Sequence, residues 1–193
     1  SAAEGIKPQS FEETTILQLG AGPVGLCALR ILKYFGFGKV VVVDNVPSRL
    51  EEAKRLGATK VINFETEPDG IKKYITEETD GVGFDAVLEV VGSAAAHKTS
   101  FDAVRRNGFI SSIGMGHEPF PFNGLDVYLN NINMSFGRCH SWSLFPESLA
   151  IFEDMKGDLA SFIDYKAKLE DSKEAFDMFD KHKVKKIVFD LTS

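Results

Sequence analysis

Residues 14–44 read TTILQLGAGPVGLCALRILKYFGFGKVVVVD, and the reading of this stretch decides the fold. Thr14–Gly20 is an apolar run of strand length. It leads into Gly20-Ala21-Gly22-Pro23-Val24-Gly25, a GxGxxG spacing. Pro23–Phe35 then has helical length and is apolar nearly all round, broken by Arg30 and Lys33, so it is expected to pack against a sheet rather than lie on an open surface. Lys39–Asp44 is a β-branched run typical of a parallel strand covered on both faces. Three glycines alone mark many tight turns. Here they follow a strand, open a helix, and precede an acidic strand end, Asp44, which stands 19 residues after Gly25. That is the context of a dinucleotide-binding turn.

Each position then has a physical task. Gly20 permits the tight turn, Gly22 lets backbone approach a pyrophosphate, and Gly25 lets the helix sit close to the sheet. Pro23 and Val24 begin a helix whose free N–H groups and positive dipole end face the phosphates. A carboxylate at Asp44 accepts hydrogen bonds from the adenosine ribose hydroxyls and repels a 2′-phosphate. Its neighbour is Asn45, not arginine, so NAD is favoured over NADP and FAD. Arg49 either reaches the ribose or is a solvated first-turn arginine.

Working outward, short apolar runs keep alternating with helical stretches. The pattern predicts helices over Ser48–Leu56, Asp69–Glu78 and Ala94–Arg105, with strands over Lys60–Asn63, Phe84–Val91 and Gly108–Gly114. A loop rich in Pro, Phe and Gly, a short helix at Asp126–Asn130 and a sixth strand at Ile132–Gly137 follow. This is an α/β chain, expected to form a doubly wound parallel sheet of six strands in the order 3-2-1-4-5-6. After about residue 140 the alternation fades. A helix over Phe145–Lys156, a weak strand at Asp164–Leu169, a helix over Ser172–His182 and a strand at Lys186–Leu191 read as an α+β appendage. In the helix of this appendage Ala175, Met178, Phe179 and His182 share one face, and Asp171 with Glu174 has capping-box spacing. The domain reading is therefore 1–140 for the dinucleotide-binding part and 141–193 for a segment belonging to a second domain.

Composition narrows the classes. The 193 residues are 44% apolar and 26% charged, which excludes disorder. A formal net charge of −6 argues against a nucleic-acid partner. No apolar run approaches the ~20 residues of a membrane span. Two cysteines exclude a disulfide scaffold and suggest a reducing compartment, hence a cytoplasmic protein. The chain opens with serine and carries no signal-peptide pattern, which suggests that residues were removed from, or never included at, its start.

The ends of the fourth and fifth strands, Val91-Gly92-Ser93 and Ile113-Gly114-Met115-Gly116, fall at the carboxyl edge of the sheet, where ligands bind in open α/β folds. Gly92 and Gly114 are either ordinary strand-to-loop glycines or let backbone approach the ribose and nicotinamide. Lys181, Lys183, Lys185 and Lys186 are either a solvated helix end or supply one cation to the pyrophosphate. No catalytic residue is assigned. The four histidines show neither HxxxH nor CxxC partners, Cys27 reads as core, and Cys139-His140 alone makes a poor metal site. Tyr-x-x-x-Lys, Gly-x-Ser-x-Gly and P-loop patterns are missing.

Taken in order, LGAGPVG, VVVVDNVPSRLEEAKRLGA, DAVLEVVGS and ISSIGMG resemble the medium-chain dehydrogenase/reductase family, and within it the zinc-dependent, NAD-linked alcohol dehydrogenases, including formaldehyde-dehydrogenase-like members. The resemblance runs from about Lys7 to Leu191. It implies a Rossmann fold and hydride transfer between NAD and an alcohol or aldehyde adduct. It also implies that Gly20, Gly22, Pro23, Val24 and Gly25 hold the pyrophosphate, that Asp44 and Arg49 hold the adenosine ribose, and that Val91, Gly92, Ile113, Gly114 and Met115 line the nicotinamide half, with Phe136 and Gly137 near the carboxamide. Lys185 or Lys186 would reach a phosphate. Relatives carry an N-terminal domain with the zinc ligands and the proton relay, and those motifs are missing here. The chain is thus expected to be the cofactor-binding part of such an enzyme, without a zinc site and inactive alone.

Two further readings are kept open: a stand-alone NAD-binding or sensing module, and a SAM-dependent methyltransferase, whose sheet ends in an antiparallel seventh strand. Eleven of the sixteen phenylalanines lie at or after Phe101, either as core or as surface meant to be covered. The sixth strand would be an exposed edge, and relatives dimerise there, so a homodimer or higher oligomer is expected.

Overall fold

The computed structural model describes residues 10–159 and 162–192; Lys7, where the resemblance begins, lies outside them. The chain divides after Arg138 into two compact units. In the first, β1 (Thr15–Leu19), α1 (Pro23–Tyr34), β2 (Lys39–Asp44), α2 (Pro47–Arg55), β3 (Lys60–Asn63), α3 (Gly70–Glu78), β4 (Phe84–Glu89), α4 (Ala94–Ala103), β5 (Val104–Ser112), α5 (Gly124–Asn130) and β6 (Asn133–Phe136) follow one another. The six strands are all parallel and lie in the order β3-β2-β1-β4-β5-β6, as expected. This parallel arrangement does not favour a methyltransferase sheet.

The period of two along each strand sorts its side chains between the two faces. Leu17, Leu19, Val41, Val43, Ile62, Val87 and Ile110 form one buried cluster with Tyr74 of α3 and Ala103 of α4. The alternate residue Gln18 instead reaches the carbonyl of Gly25 in α1, at 3.0 Å, so α1 lies on the opposite face. Each fully buried Leu or Val adds about 1.5–3 kcal/mol. Tyr74 stacks on Phe84 with ring centroids 5.2 Å apart.

Several boundaries and contacts differ from the sequence reading. Helix α4 stops at Ala103, not Arg105, because Val104 takes an extended conformation (ψ 140°) and pairs with Phe84. The ladder then shifts register before Ala86 meets Phe109, with Asn107 left-handed at φ 58°. Strand β5 therefore starts at Val104 rather than Gly108. Helix α1 buries only a stripe: Gly25, Leu26 and Leu29 are buried, whereas Val24, Ile31 and Tyr34 are exposed. Cys27 is half-buried rather than core.

The second unit contains α6 (Ser141–Leu159), β7 (Tyr165–Lys168), α7 (Ser172–Asp180) and β8 (Ile187–Asp190). Strands β7 and β8 form a parallel pair. Helix α6 starts four residues before the expected Phe145 and holds Pro146 in its second turn. The capping box at Asp171 does not form. Asp171 closes a 3-10 turn at Leu169–Asp171 with ψ 11° and makes no side-chain cap bond, since an N-cap needs the extended conformation. His182 is left-handed, at φ 55°, so α7 ends before it, and of its apolar face Ala175 is buried while Phe179 is exposed. Among the described residues, no helix is long and apolar enough to cross a membrane.

Asp85 joins β4 to its neighbours. Its carboxylate accepts from the Thr15 N–H and hydroxyl, each at 2.7 Å, and from Arg105 Nε at 2.7 Å. Burial works against ionisation, but these hydrogen bonds and the guanidinium charge together outweigh it and hold the carboxyl below its ordinary range. A depressed value means that the stabilisation is complete above the unfolded-state value of about 3.9 and fades as pH falls through the folded-state value. Asp85→Asn is expected to lose about 1–2 kcal/mol at neutral pH, with the gap to the native chain closing on acidification below about pH 4. Urea midpoints across that range test this; a gap independent of pH would refute it.

Candidate dinucleotide site

Strand register assembles the site. Leu19 pairs with Val43 and with Glu89, Asp44 with Asn63, Glu89 with Ser112, and Ser112 with Phe136. The carboxyl ends of all six strands therefore form one row. The chain leaves β1 toward β2 and β3 and later returns to β4 on the other side, which makes the gap above β1 the topological switch point.

The glycine turn occupies that gap. Gly20 has φ +100° and donates its N–H to Val43 O at 2.8 Å. A Cβ on Gly25 would lie 2.3 Å from Gly20 O, so the glycine there is required by the turn's own carbonyl more than by helix-to-sheet contact. Gln18 Nε2 donates to both Gly20 O (2.9 Å) and Gly25 O, pinning strand to helix. At Gly22 a Cβ would meet nothing within 4 Å. The space that this glycine leaves faces outward, as a pyrophosphate cradle requires.

The N-termini of α1 and α4 flank the switch point and differ in availability. α1 starts at Pro23 with no side-chain cap and no acidic residue in its first turn. α4 is closed by Ser93 Oγ, which accepts from Ala96 N at 3.1 Å, and by Glu118 Oε2, which accepts from Ala94 N at 2.7 Å. Of these two, the α1 end is the one that side chains leave to an anion.

Asp44 is buried. Its Oδ2 accepts from Ala21 N at 2.7 Å, and its Oδ1 accepts from Asn45 N and Val46 N, both at 2.9 Å. Arg49 Nη1 stands 3.9 Å from Oδ2. A carboxylate has about four lone-pair sites, so the three backbone donors leave about one. Asn45 Nδ2 donates to Glu65 Oε1 at 2.8 Å, which brings a second carboxylate to the same rim.

Gly20, Gly22, Asp44, Arg49 and Val91 line one cleft of about 480 Å³, within the range of ligand pockets. Pro23, Val24 and Gly25 sit on the helix start behind it. Sequence reasoning missed the cleft's apolar walls: Phe64, Pro68 and Ile71 on one side, Ala95, Ala96 and Thr99 on the other. Phe64 is the first residue past β3, so the rule that ligands gather at carboxyl strand ends could have found it.

Gly92 and Gly114 pack against each other's chain. A Cβ on Gly114 would fall 2.2 Å from Gly92 N, and one on Gly92 2.6 Å from the Met115 carbonyl carbon. Their small size serves this crossing of two loops. Val91, Ile113 and Met115 are exposed, Met115 at 80%. Lys185 and Lys186 lie in the second unit, where their backbone N–H groups donate to the Asp164 carboxylate at 3.0 Å. Lys181 pairs with Asp177 at 2.7 Å. Phe120 and Phe122 form a cluster with Phe101, Phe136 and His97. Among the described residues no three His, Cys, Asp or Glu side chains come together to hold a metal ion.

Comparison with known proteins agrees with the fold. The family described as zinc-binding dehydrogenase matches residues 23–154. The chain is similar to zinc-type alcohol dehydrogenase B of Aspergillus flavus, 38% identical over 189 residues, covering 98% of this chain and 44% of that protein. It is also similar to sorbitol dehydrogenase of Bacillus subtilis, 31% identical over 165 residues, covering 85% and 46%. Among solved structures it is similar to alcohol dehydrogenase TADH from Thermus sp. ATN1, with a TM-score of 0.83 and 29% identity, covering 91% of this chain and 50% of that one. The chain spans about half the length of these relatives.

Gly25→Ala is expected to destabilise the chain by about 1–3 kcal/mol, because the added methyl must push helix and turn apart. Thermal melting checks this, and an unchanged midpoint would mean that the turn relaxes freely.

Proposed function

Because the chain belongs to the zinc-binding dehydrogenase family, we propose that it is the NAD-binding portion of a medium-chain alcohol dehydrogenase. The observation that supports this best is the uncapped α1 terminus behind the open side of Gly22, with the Asp44 carboxylate 2.7 Å from Ala21 N across the same turn. When bound, NAD supplies the nicotinamide that exchanges a hydride with an alcohol or aldehyde adduct. The chain's own residues bind and orient it.

In this reading the first-turn N–H groups of Val24 and Gly25, behind Pro23, and the helix dipole meet the pyrophosphate. Asp44 offers its remaining lone pair to the adenosine ribose, and Arg49 helps to hold that end. The apolar walls around Phe64 and Ala96 suit a flat adenine. Val91, Gly92, Ile113, Gly114 and Met115 lie toward the nicotinamide half. A 2′-phosphate would bring negative charge against Asp44 and toward Glu65, which disfavours NADP. The described residues offer no zinc ligand set, so no step here runs through zinc, and we assign that site to a part of the parent enzyme outside this chain. Residues 1–140 then form the cofactor domain, and 141–193 return toward the catalytic domain. A cytoplasmic homodimer joined at the exposed edge of β6 completes the proposal.

Calorimetric titration of the chain with NAD, NADP and SAM tests it. NAD should bind, NADP at least about tenfold more weakly, a difference of about 1.4 kcal/mol, and SAM not at all. Binding of SAM alone, or of none of the three, would overturn the proposal. Gly22→Ala should weaken NAD by at least about tenfold with little change in melting temperature, since its methyl meets no atom of the chain. Equal NAD affinity in this variant would remove Gly22 from the site.

A further inference from the structure

The cofactor reading leaves one buried carboxylate unused. Glu89, the last residue of β4, is fully buried. Its Oε1 accepts from Val91 N at 2.7 Å and Gly92 N at 2.6 Å. Its Oε2 accepts from the Ser112 hydroxyl at 3.0 Å and stands 3.4 Å from His97 Nε2. Its backbone carbonyl accepts from Ile113 N at 2.8 Å and Gly114 N at 3.1 Å. A single residue therefore holds both loops that leave the carboxyl ends of β4 and β5.

Ser112, His97 and Glu89 invite comparison with a hydrolytic triad, and the geometry rejects it. Ser112 Oγ (2.9 Å) and Glu89 Oε2 face the same imidazole nitrogen, Nε2, whereas a triad keeps the acid on the other nitrogen. Ser112 is also only 7% exposed. What Glu89 does hold is the chain that carries Val91 and Ile113, two exposed apolar side chains above β4 and β5: its carboxylate takes the Val91 and Gly92 N–H groups and the Ser112 hydroxyl, and its backbone carbonyl takes the Ile113 and Gly114 N–H groups. Asp44 fixes the adenosine half on the β2 side of the switch point. A dinucleotide laid across the crevice thus brings its other half over these loops.

We propose that Glu89 is a positioning residue for the nicotinamide half of the cofactor, acting through the Val91–Gly92 and Ile113–Met115 loops without touching the cofactor. The proposal rests on the NAD-binding reading above. An ionised acceptor strengthens the two N–H bonds that converge on Oε1. In Glu89→Gln the amide oxygen can still accept both, while the amide nitrogen turns Ser112 into an acceptor whose own proton rotates toward His97. Glu89→Ala leaves both N–H groups without their acceptor.

The test is titration of the 193-residue chain and its variants with ADP-ribose and with NADH, which differ by the nicotinamide. The native chain should bind NADH more tightly than ADP-ribose. Glu89→Ala should bring that ratio to about one while ADP-ribose affinity stays within about twofold of native. Glu89→Gln should keep most of the ratio. Ser112→Ala, which cuts the link to β5 without emptying the core, should lower the ratio in part, and with Glu89→Gln it decides the matter if Glu89→Ala does not fold. A native ratio of one, a ratio unmoved in Glu89→Ala and Ser112→Ala, or a parallel loss of both ligands would overturn the positioning role. A native chain that binds neither ligand would instead overturn the NAD reading beneath it.

Discussion

The glycine turn closes on itself through a contact between its two ends. The backbone leaves β1 at Gly20, reverses, and enters α1 so tightly that the Gly20 carbonyl occupies the space where any side chain at position 25 would begin. Gln18, buried in the strand beneath, donates to the carbonyls on both sides of the turn. This contact fixes the direction in which α1 departs. It therefore fixes which face of the sheet α1 covers, and where its uncapped N-terminus points.

Parallel register does the rest. Once Leu19 is set against Val43 and Glu89, Asp44 must stand beside the turn and the β4 end must stand on its other side. No long-range search is needed to bring these groups together, because each is the last or next-to-last residue of its strand. The cleft is accordingly built from strand ends and the first turns that follow them. Its walls from Phe64 to Ile71 and from Ala95 to Thr99 are the two segments that flank the switch point.

What was legible in the sequence follows from this. Sheet order, the glycine turn and Asp44 each rest on local patterns with a fixed period or spacing, and these read directly. Asp171 misled because capping-box spacing says nothing of backbone angle, and a preceding 3-10 turn had already taken that residue out of the extended state. The early start of β5 was hidden because Arg105, Arg106 and Asn107 carry no strand pattern; pairing with β4 across a register shift imposes it. The one-sided burial of α1 was hidden for a different reason. Apolar composition sets what a helix is able to bury, while the neighbours present set what it does bury.

The two buried strand-end carboxylates show where pattern reading stops. Asp44 and Glu89 use the same device: each closes a parallel strand and folds its side chain onto N–H groups of the residues just after it. Each spends its second oxygen on the neighbouring strand's end, Asp44 on Ala21 after β1 and Glu89 on Ser112 of β5. Desolvating a carboxylate is costly, and charge-assisted bonds to backbone donors are what offset it. Asp44 could be read because it stands at a known distance from the glycines. Glu89 is spent wholly on the protein itself. Its only trace in the sequence is that it is one of two acidic residues, with Asp85, inside the otherwise apolar run Phe84–Val91, and such a residue must find donors within the fold or not be tolerated there.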